Sequence, residues 1–305
     1  MKAFITGVGG FVGPYLARHL REKGFSVFGI DRRGAAVESC VVEQCNITDY
    51  DSLFSIVNTV RPDVVFHLAG QSSVARSWDE PELTREVNVV GARNLFQAVV
   101  GAGIHPKILL VSSAEVYGVP QKLPMGESHP IKPISPYGES KVEQERIAQD
   151  FVESHDAHIV VARSFNHTGP GQPADFVCSN FAKQLADIEK NRQPPVVRVG
   201  DLDIRRDFSD VRDVVSAYAL LLEKAAAGEV FNVCSGTAIA IGEVLDKLRS
   251  MSTVSVSVER ERSRMQHAVV PLLQGDNAKL RELGWRPQIG LDSTLASILY
   301  YWRQQ

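Results

Sequence analysis

Residues 6–13 read TGVGGFVG, and this stretch decides the fold. It follows an apolar run at 3–6 that predicts a buried strand, and it opens a segment at 11–23 whose apolar residues recur at helical spacing. Glycines in such a turn permit a tight bend, a close approach of the backbone to a pyrophosphate, and close packing of helix on strand. The amino terminus of the helix offers free N–H groups and a positive dipole end to phosphates. We therefore predict a dinucleotide-binding turn with cofactor contacts from Gly7, Gly10, Phe11, Val12 and Gly13.

A second predicted strand, at 26–30, ends in Asp31. This aspartate lies about twenty residues beyond the glycine turn, where a carboxylate can accept hydrogen bonds from the adenosine ribose hydroxyls of NAD. Arg32 and Arg33 follow directly, and a guanidinium there could instead hold the 2'-phosphate of NADP or lie in a solvated loop. The sequence thus predicts NADP(H) or NAD(H) as the cofactor and leaves the choice between them open.

Strand-like and helix-like segments alternate through the first half of the chain. Further strands are expected at 41–42, 64–67, 108–113 and 159–162, and helices at 50–60, 82–102 and 137–154. This alternation predicts an α/β fold, a Rossmann-type doubly wound parallel sheet whose ligands lie beyond the carboxyl ends of its strands. Small residues after the strand at 64–67 would let the cofactor pass closely. The remaining predicted cofactor contacts are Asn46, Ile47, Leu68, Ala69 and Gly70.

The alternation weakens beyond residue 170. Helices are expected at 181–191, 211–224 and 241–251, and strands at 196–199, 231–233 and 254–258. Residues 163–171 are expected to form a polar loop, and no element is assigned to 200–208. We predict an NAD(P)-binding Rossmann domain at 1–170, with 171–305 mostly a smaller C-terminal substrate lobe interleaved with the end of that domain.

Candidate chemistry lies in Tyr137 and Lys141, which are four residues apart at the start of a predicted helix. That spacing places both on one face, where the ammonium could favour the ionised phenol, so that the phenol can pass a proton at neutral pH. Ser113 and Glu115 end the preceding strand and, on the same side of an extended chain, should face the phenol. The serine hydroxyl could hydrogen-bond a sugar or ketone oxygen. Glu115 could be a base or simply a loop carboxylate.

Composition narrows the function classes. The net charge of −3 gives no electrostatic footprint for nucleic acid or an anionic membrane. The four cysteines have neither zinc-site nor disulfide-framework spacing, which favours buried free thiols in a reducing cytoplasm. No metal site is expected, because His167 has no partner and more often satisfies a local hydrogen bond. The first strand starts at Lys2 and no apolar run approaches ~18 residues, so we expect neither a secretory signal nor a membrane span.

With these residues assembled, the chain resembles the extended short-chain dehydrogenase/reductases that act on nucleotide sugars. The resemblance runs from residue 1 to residue 302. It rests on the segments 6–13, 112–118 (SSAEVYG) and 206–211 (RDFSDV) and on the Tyr137/Lys141 pair. Within the family, segments 163–172, 199–203, 232–236 and 264–265 are most similar to enzymes that reduce a GDP-linked keto sugar.

The resemblance implies roles for individual residues. It implies that Ser113, Tyr137 and Lys141 form the catalytic set, joined by Glu115. The implied substrate-binding residues are Ser113, Glu115, Asn166, Phe176, Val177, Arg206 and Arg264. Among them Arg206 would bind the diphosphate, because a forked guanidinium suits phosphate, although a surface salt bridge is the alternative. Residues 266–270 replace a stretch that many relatives carry near the nucleotide, which weakens the assignment of Arg264.

The implied reaction is hydride transfer from NAD(P)H to the 4-keto group of a GDP-linked 6-deoxy-4-keto hexose, giving GDP-D-rhamnose. Ala114 stands where the dehydratases have a residue that can supply a proton to a leaving hydroxyl, which disfavours elimination. Glu115 is nevertheless present, so a GDP-mannose 4,6-dehydratase, or another dehydratase or epimerase of the family, stays open. A non-catalytic redox sensor is a third class. A homodimer through the two long helices is expected, although core packing would also explain their apolar stripes.

Overall fold

The computed structural model describes residues 1–261 and 270–305. Its strands are β1 Lys2–Thr6, β2 Ser26–Asp31, β3 Val41–Gln44, β4 Val64–His67, β5 Lys107–Ser113, β6 Ile159–Ser164, β7 Asn166–Thr168, β8 Val196–Val199, β9 Arg205–Asp210, β10 Val230–Val233, β11 Ala238–Ala240, β12 Ser257–Arg260 and β13 Leu272–Leu273. Its α-helices are α1 Val12–Glu22, α2 Tyr50–Val60, α3 Val74–Asp79, α4 Pro81–Arg85, α5 Gly91–Gly101, α6 Pro136–His155, α7 Val177–Glu189, α8 Val211–Lys224, α9 Ile241–Ser250, α10 Ala278–Glu282 and α11 Leu291–Gln304. A π-helical turn at Glu86–Val90 joins α4 to α5, and a 3-10 turn at Ala114–Val116 follows β5.

A seven-stranded parallel sheet organises the fold, in the order β10-β6-β5-β4-β1-β2-β3. The register aligns the carboxyl ends of its central strands, because Thr6 of β1 pairs with both Ile30 of β2 and His67 of β4. On the other side of the sheet, Ser113 of β5 pairs with Ser164 of β6. The sheet confirms the predicted α/β, Rossmann-type fold and brings the loops that follow these strands to one edge.

Apolar side chains alternate between the two faces of the sheet, as the period of a strand requires. Ile5 packs with α1 and α8 on one face, and Phe4 packs with α2, α5 and α6 on the other. Local capping starts the helices: the Asp49 side chain accepts from Ser52 N at the start of α2, and the Ser135 hydroxyl accepts from Gly138 N at the start of α6. Strands β4 and β6, and β1 beyond its first residue, are thus buried on both faces, as expected of a parallel sheet.

The second half of the chain builds two smaller sheets and then returns to the large one. One has the order β11-β9-β13 with β7 also paired to β9, and the other is the β8/β12 pair. Helices α7, α9 and α11 enclose an apolar core beside them. The returning strand, β10, lies next to β6 at the edge of the seven-stranded sheet. None of the described helices is long and apolar enough to cross a membrane.

Most predicted elements are present, and a few regions differ from the prediction. The helix expected at 82–102 is interrupted by the π-helical turn, whose Asn88 side chain turns inward to hydrogen-bond the loop after β4. Residues 163–171, expected as a loop, contain β7, and β9 lies in the unassigned region. The strand expected at 254–258 lies at Ser257–Arg260, paired with β8.

Candidate active site

The glycine turn connects β1 to α1 as its sequence predicts. Gly7 has a φ of +70°, and both Gly7 N and Val8 N donate to Ile30 O. A Cβ atom on Gly7 would lie 2.8 Å from Ala69 Cα, and one on Gly13 would lie 2.1 Å from Val8 O. Side chains are therefore excluded at both positions, and the bare backbone at the amino terminus of α1 forms a cradle that fits a pyrophosphate.

Asp31 ends β2 with its carboxylate directed at this turn. A Cβ atom on Gly9 would lie 2.7 Å from Asp31 Cγ, and Arg33 N donates to Asp31 Oδ1 at 2.8 Å. The exposed Arg33 guanidinium lies 3.8 Å from the same carboxylate and also donates to Gly9 O. Arg32, the other arginine predicted near the cofactor, is exposed next to it, so Arg33 is the arginine that borders the turn.

Asn88 fixes the loop after β4, and sequence reasoning missed it. Its side-chain oxygen accepts from Gln71 N at 2.8 Å, and its Nδ2 donates to Gln71 O and to the Ser140 hydroxyl of α6. This loop, which includes Leu68, Ala69 and Gly70, passes directly over Gly7, with Ala69 N donating to the Thr6 hydroxyl. A buried asparagine within an apolar helical stripe was the signal that could have identified it.

The loop after β3 holds the other two predicted cofactor contacts. Ile47 is buried against Gly91 at the start of α5, and its carbonyl accepts from Asn94. Asn46 is exposed, and its side chain accepts from Thr48 N. Asn46 is therefore the one whose side chain is accessible to a ligand, while Ile47 shapes the loop by packing.

Ser113, Tyr137 and Lys141 converge at the carboxyl end of β5. Tyr137 lies in the first turn of α6, and the Lys141 Nζ lies 5.9 Å from the centroid of its ring. Burial raises the pKa of Tyr137 to about 12, a hydrogen bond with Ser113 opposes this rise, and the nearby Glu115 carboxylate adds to it. Burial also lowers the pKa of Lys141 to about 8, while Glu145 opposes this.

These shifts correct the expectation that Lys141 makes the phenol more acidic. The Lys141 ammonium donates to Val111 O at 2.8 Å and to Gln144 Oε1 at 2.9 Å. Desolvation therefore dominates at Tyr137, since burial of both groups disfavours both charged forms. With its pKa raised to about 12, the Tyr137 phenol is neutral at pH 7 and can donate a hydrogen bond.

Glu115 also departs from the extended geometry predicted for it. It lies in the 3-10 turn that follows β5, where its N–H donates to the Ser113 hydroxyl at 3.2 Å. Burial raises the pKa of Glu115, and the charge of Arg206 opposes the rise. The carboxylate lies close enough to Tyr137 and Arg206 to raise the pKa of both groups.

Arg206 reaches the site from β9 and is half-buried. Burial lowers the pKa of this guanidinium, while Glu115 raises it. The next residue, Asp207, anchors the strand because its buried carboxylate accepts from Ser235 N, the Ser235 hydroxyl, Gly236 N and Gly275 N. The arginine thus projects from a backbone held by loops that are distant in the sequence.

The other predicted substrate residues lie on the same side of the fold. Asn166 opens β7 and pairs with Phe208 of β9, and Phe176 and Val177 form the start of α7. Next to Asn166, the His167 ring stacks on Phe11 of the glycine turn, with centroids 6.2 Å apart, and its Nδ1 contacts a backbone carbonyl as expected. Arg264 and residues 266–269 lie outside the described residues.

Comparisons with known proteins agree with this geometry. A family model described as GDP-mannose 4,6 dehydratase matches residues 4–298. A GDP-6-deoxy-D-mannose reductase from Pseudomonas aeruginosa is 34% identical over 309 residues, covering 100% of this chain and 98% of the relative. The structure of RMD from Pseudomonas aeruginosa complexed with NADPH superposes with a TM-score of 0.88 at 34% identity, covering 99% of each chain.

A third relative carries the other cofactor. The UDP-glucose 4-epimerase of Thermus thermophilus, solved in complex with NAD, superposes with a TM-score of 0.90 at 26% identity and covers 99% of each chain. The prediction of an NADP(H) or NAD(H) cofactor is confirmed by these homologous structures. The chain belongs to the family of GDP-mannose 4,6 dehydratase, within the nucleotide-sugar dehydrogenase/reductases that its sequence resembles.

Proposed function

We propose that this protein is an NAD(P)-dependent 4-ketoreductase that converts GDP-4-keto-6-deoxy-D-mannose to GDP-D-rhamnose. The observation that carries the proposal is the convergence of Ser113, Tyr137 and Lys141 at the sheet edge where the glycine turn lies. The substrate class follows from the GDP-6-deoxy-D-mannose reductase that is 34% identical along the whole chain.

Each residue of the site has a separate role in the proposed reduction. When bound, the nicotinamide supplies the hydride for C4 of the sugar. Tyr137 gives its proton to the oxygen that develops there, so that the carbonyl becomes a hydroxyl, and Ser113 hydrogen-bonds the same oxygen. A pKa of about 12 suits this role, because the phenol still holds its proton at neutral pH. Lys141 would hold the nicotinamide ribose, and Arg206 the diphosphate of the sugar nucleotide.

Dehydration of GDP-mannose is the second candidate, and Glu115 favours it. Burial raises the pKa of this carboxyl, and the carboxyl lies near enough to Tyr137 to raise the pKa of the phenol. An acid–base group in an elimination requires such a perturbed pKa close to the reacting centre. Its neighbour Ala114 is buried and offers no proton to a leaving hydroxyl. A reaction that needs one proton donor therefore fits these residues better than one that needs two.

Purified enzyme with separate substrates distinguishes the two reactions. A reductase leaves GDP-mannose alone unchanged and consumes NADPH or NADH only when the keto sugar is supplied. The Tyr137→Phe variant should lose ~10²-fold or more in turnover, because it removes the proton donor. Formation of the keto product from GDP-mannose without added cofactor, and its loss in Glu115→Gln, would establish the dehydratase instead. Full reductase activity in Tyr137→Phe would overturn the assignment of the donor.

We further propose residues 1–170 as the cofactor domain and residues 171–305 as mostly the substrate lobe, with β10 as the part that returns to the cofactor domain. A homodimer formed through α5 and α6, which pack side by side on one face of the sheet, would suit this family. The free cysteines among the described residues fit a reducing cytoplasm. Sedimentation of the purified protein tests the dimer.

A further inference from the structure

Two acceptors hold the ammonium of Lys141. One is Val111 O, a backbone carbonyl of β5, at 2.8 Å. The other is Gln144 Oε1, a side-chain oxygen one turn further along α6, at 2.9 Å. The sheet fixes the first acceptor, whereas the second depends on the residue type at position 144.

Gln144 makes this bond and no other side-chain hydrogen bond among the described residues. Its side chain is 0% exposed, and its Nε2 has no partner there. Turning the amide over would place its NH2 group against the ammonium and remove the one bond that it makes. The orientation of Gln144 is therefore set by Lys141. A buried amide with an unsatisfied end is unfavourable, so its presence at this position calls for a role.

The charged and titratable groups that face Lys141 do not replace Gln144. Glu145 on α6 is already bound by the Arg163 guanidinium at 2.8 Å and by the Ser112 hydroxyl. His67 on β4 is neutral, since burial and then the charge of Lys141 lower its pKa to about 3. Tyr137 on α6 is neutral as well, with a pKa of about 12. Among residues 1–261 and 270–305, the acceptors in direct contact with the ammonium are thus one backbone carbonyl and one side-chain amide.

We propose that Gln144 is a positioning residue, which fixes the Lys141 ammonium at the cofactor site and keeps it protonated. The inference rests on the proposed function only through the role of Lys141 in holding the cofactor. Burial already lowers the pKa of Lys141. An apolar residue at position 144 would remove the acceptor that Gln144 provides to the ammonium and would therefore lower this pKa further. A carboxylate at position 144 would raise it. The two changes therefore have opposite signs.

The test measures NADPH affinity by fluorescence between about pH 6 and pH 10, with no sugar present. The wild-type affinity should fall as pH rises through about 8, where Lys141 loses its proton. The midpoint should move down by about one pH unit in Gln144→Leu and up by about one unit or more in Gln144→Glu. Gln149→Glu, the same change on the exposed side of α6, is the matched control and should leave the midpoint in place.

An unmoved midpoint in the Gln144 variants, or shifts of the same sign in both, would overturn the proposal. If Gln144→Leu fails to fold, Gln144→Glu decides alone, and a midpoint equal to that of the wild type is the contrary result. Because the measurement contains no sugar, a failure of the enzyme to reduce the keto sugar would not change its outcome. The two proposals can therefore fail separately.

Discussion

Replacing Lys141 by Met should remove a destabilising contribution to folding whose size depends on pH. The pKa of this buried ammonium falls from 10.5, its ordinary value, to about 8 in the folded protein. The unfolded chain therefore binds the proton more tightly, and at pH 7 the buried charge destabilises the fold by about 3 kcal/mol. At pH 9.5 most folded molecules have lost the proton, and the penalty falls to about 1 kcal/mol. The contribution thus shrinks by about 2 kcal/mol over this range.

Comparison at two pH values isolates this effect from the packing of the new side chain. Loss of the bonds to Val111 O and Gln144 changes the stability of Lys141→Met by nearly the same amount at both pH values, so it cancels in the difference. Urea unfolding of wild type and variant at pH 7 and pH 9.5 gives the four free energies required. Wild type should gain about 2 kcal/mol relative to the variant as the pH rises. Lys122→Met, a change of an exposed lysine, is the control and should show no such gain.

A difference between wild type and Lys141→Met that is the same at both pH values would refute the reasoning. It would mean that the ammonium is hydrated in the folded protein. Cofactor affinity gives an independent measure of the same group. The Lys141→Met variant should bind NADPH more weakly at pH 7, where the wild-type ammonium is charged. Greater stability and weaker binding together would show that the site keeps a charge at the expense of the fold.

Two further predictions concern the cofactor cradle and the core of the second half. Gly13→Ala should abolish NADPH binding or folding, because its Cβ would lie 2.1 Å from a backbone oxygen. Gly126→Ala, where a Cβ meets nothing within 4 Å, is the control and should bind NADPH as the wild type does in a fluorescence titration. Glu189→Gln should lose about 2 kcal/mol of stability at pH 7, since hydrogen bonds, chiefly from Arg303, hold the pKa of Glu189 at about 2. That deficit in stability should shrink as pH falls from above 4.5 towards 2, where the wild-type carboxylate takes up its proton. Urea unfolding of both proteins at pH 7 and pH 3 measures the deficit, and an equal deficit at the two pH values would contradict the prediction.

Elements whose signals are local could be predicted from the sequence. Helices α2 and α8 begin and end where their apolar periodicity and capping aspartates place them. The glycine turn and the Tyr137/Lys141 pair were predictable for the same reason, because each is a pattern of a few residues on one turn or helix. The sign of the Tyr137 pKa shift was not, since it depends on how completely two helical neighbours are desolvated by the rest of the fold.

Strand β9 shows why the substrate side of the site was harder to predict than the cofactor side. Its sequence, RRDFSD, has the composition of a solvated loop, yet Asp207 and Asp210 are buried. Asp207 accepts hydrogen bonds from residues near 235 and 275, and Asp210 is bound by Arg212 and by the Thr294 hydroxyl of α11. Burial of each carboxylate is therefore compensated by donors that are mostly remote in sequence, which no window of a few residues can reveal. Arg206 occupies its place in the site because these remote donors hold its strand. The glycine turn and the Tyr137/Lys141 pair are accordingly encoded by local patterns, whereas the position of Arg206 depends on long-range contacts of the fold.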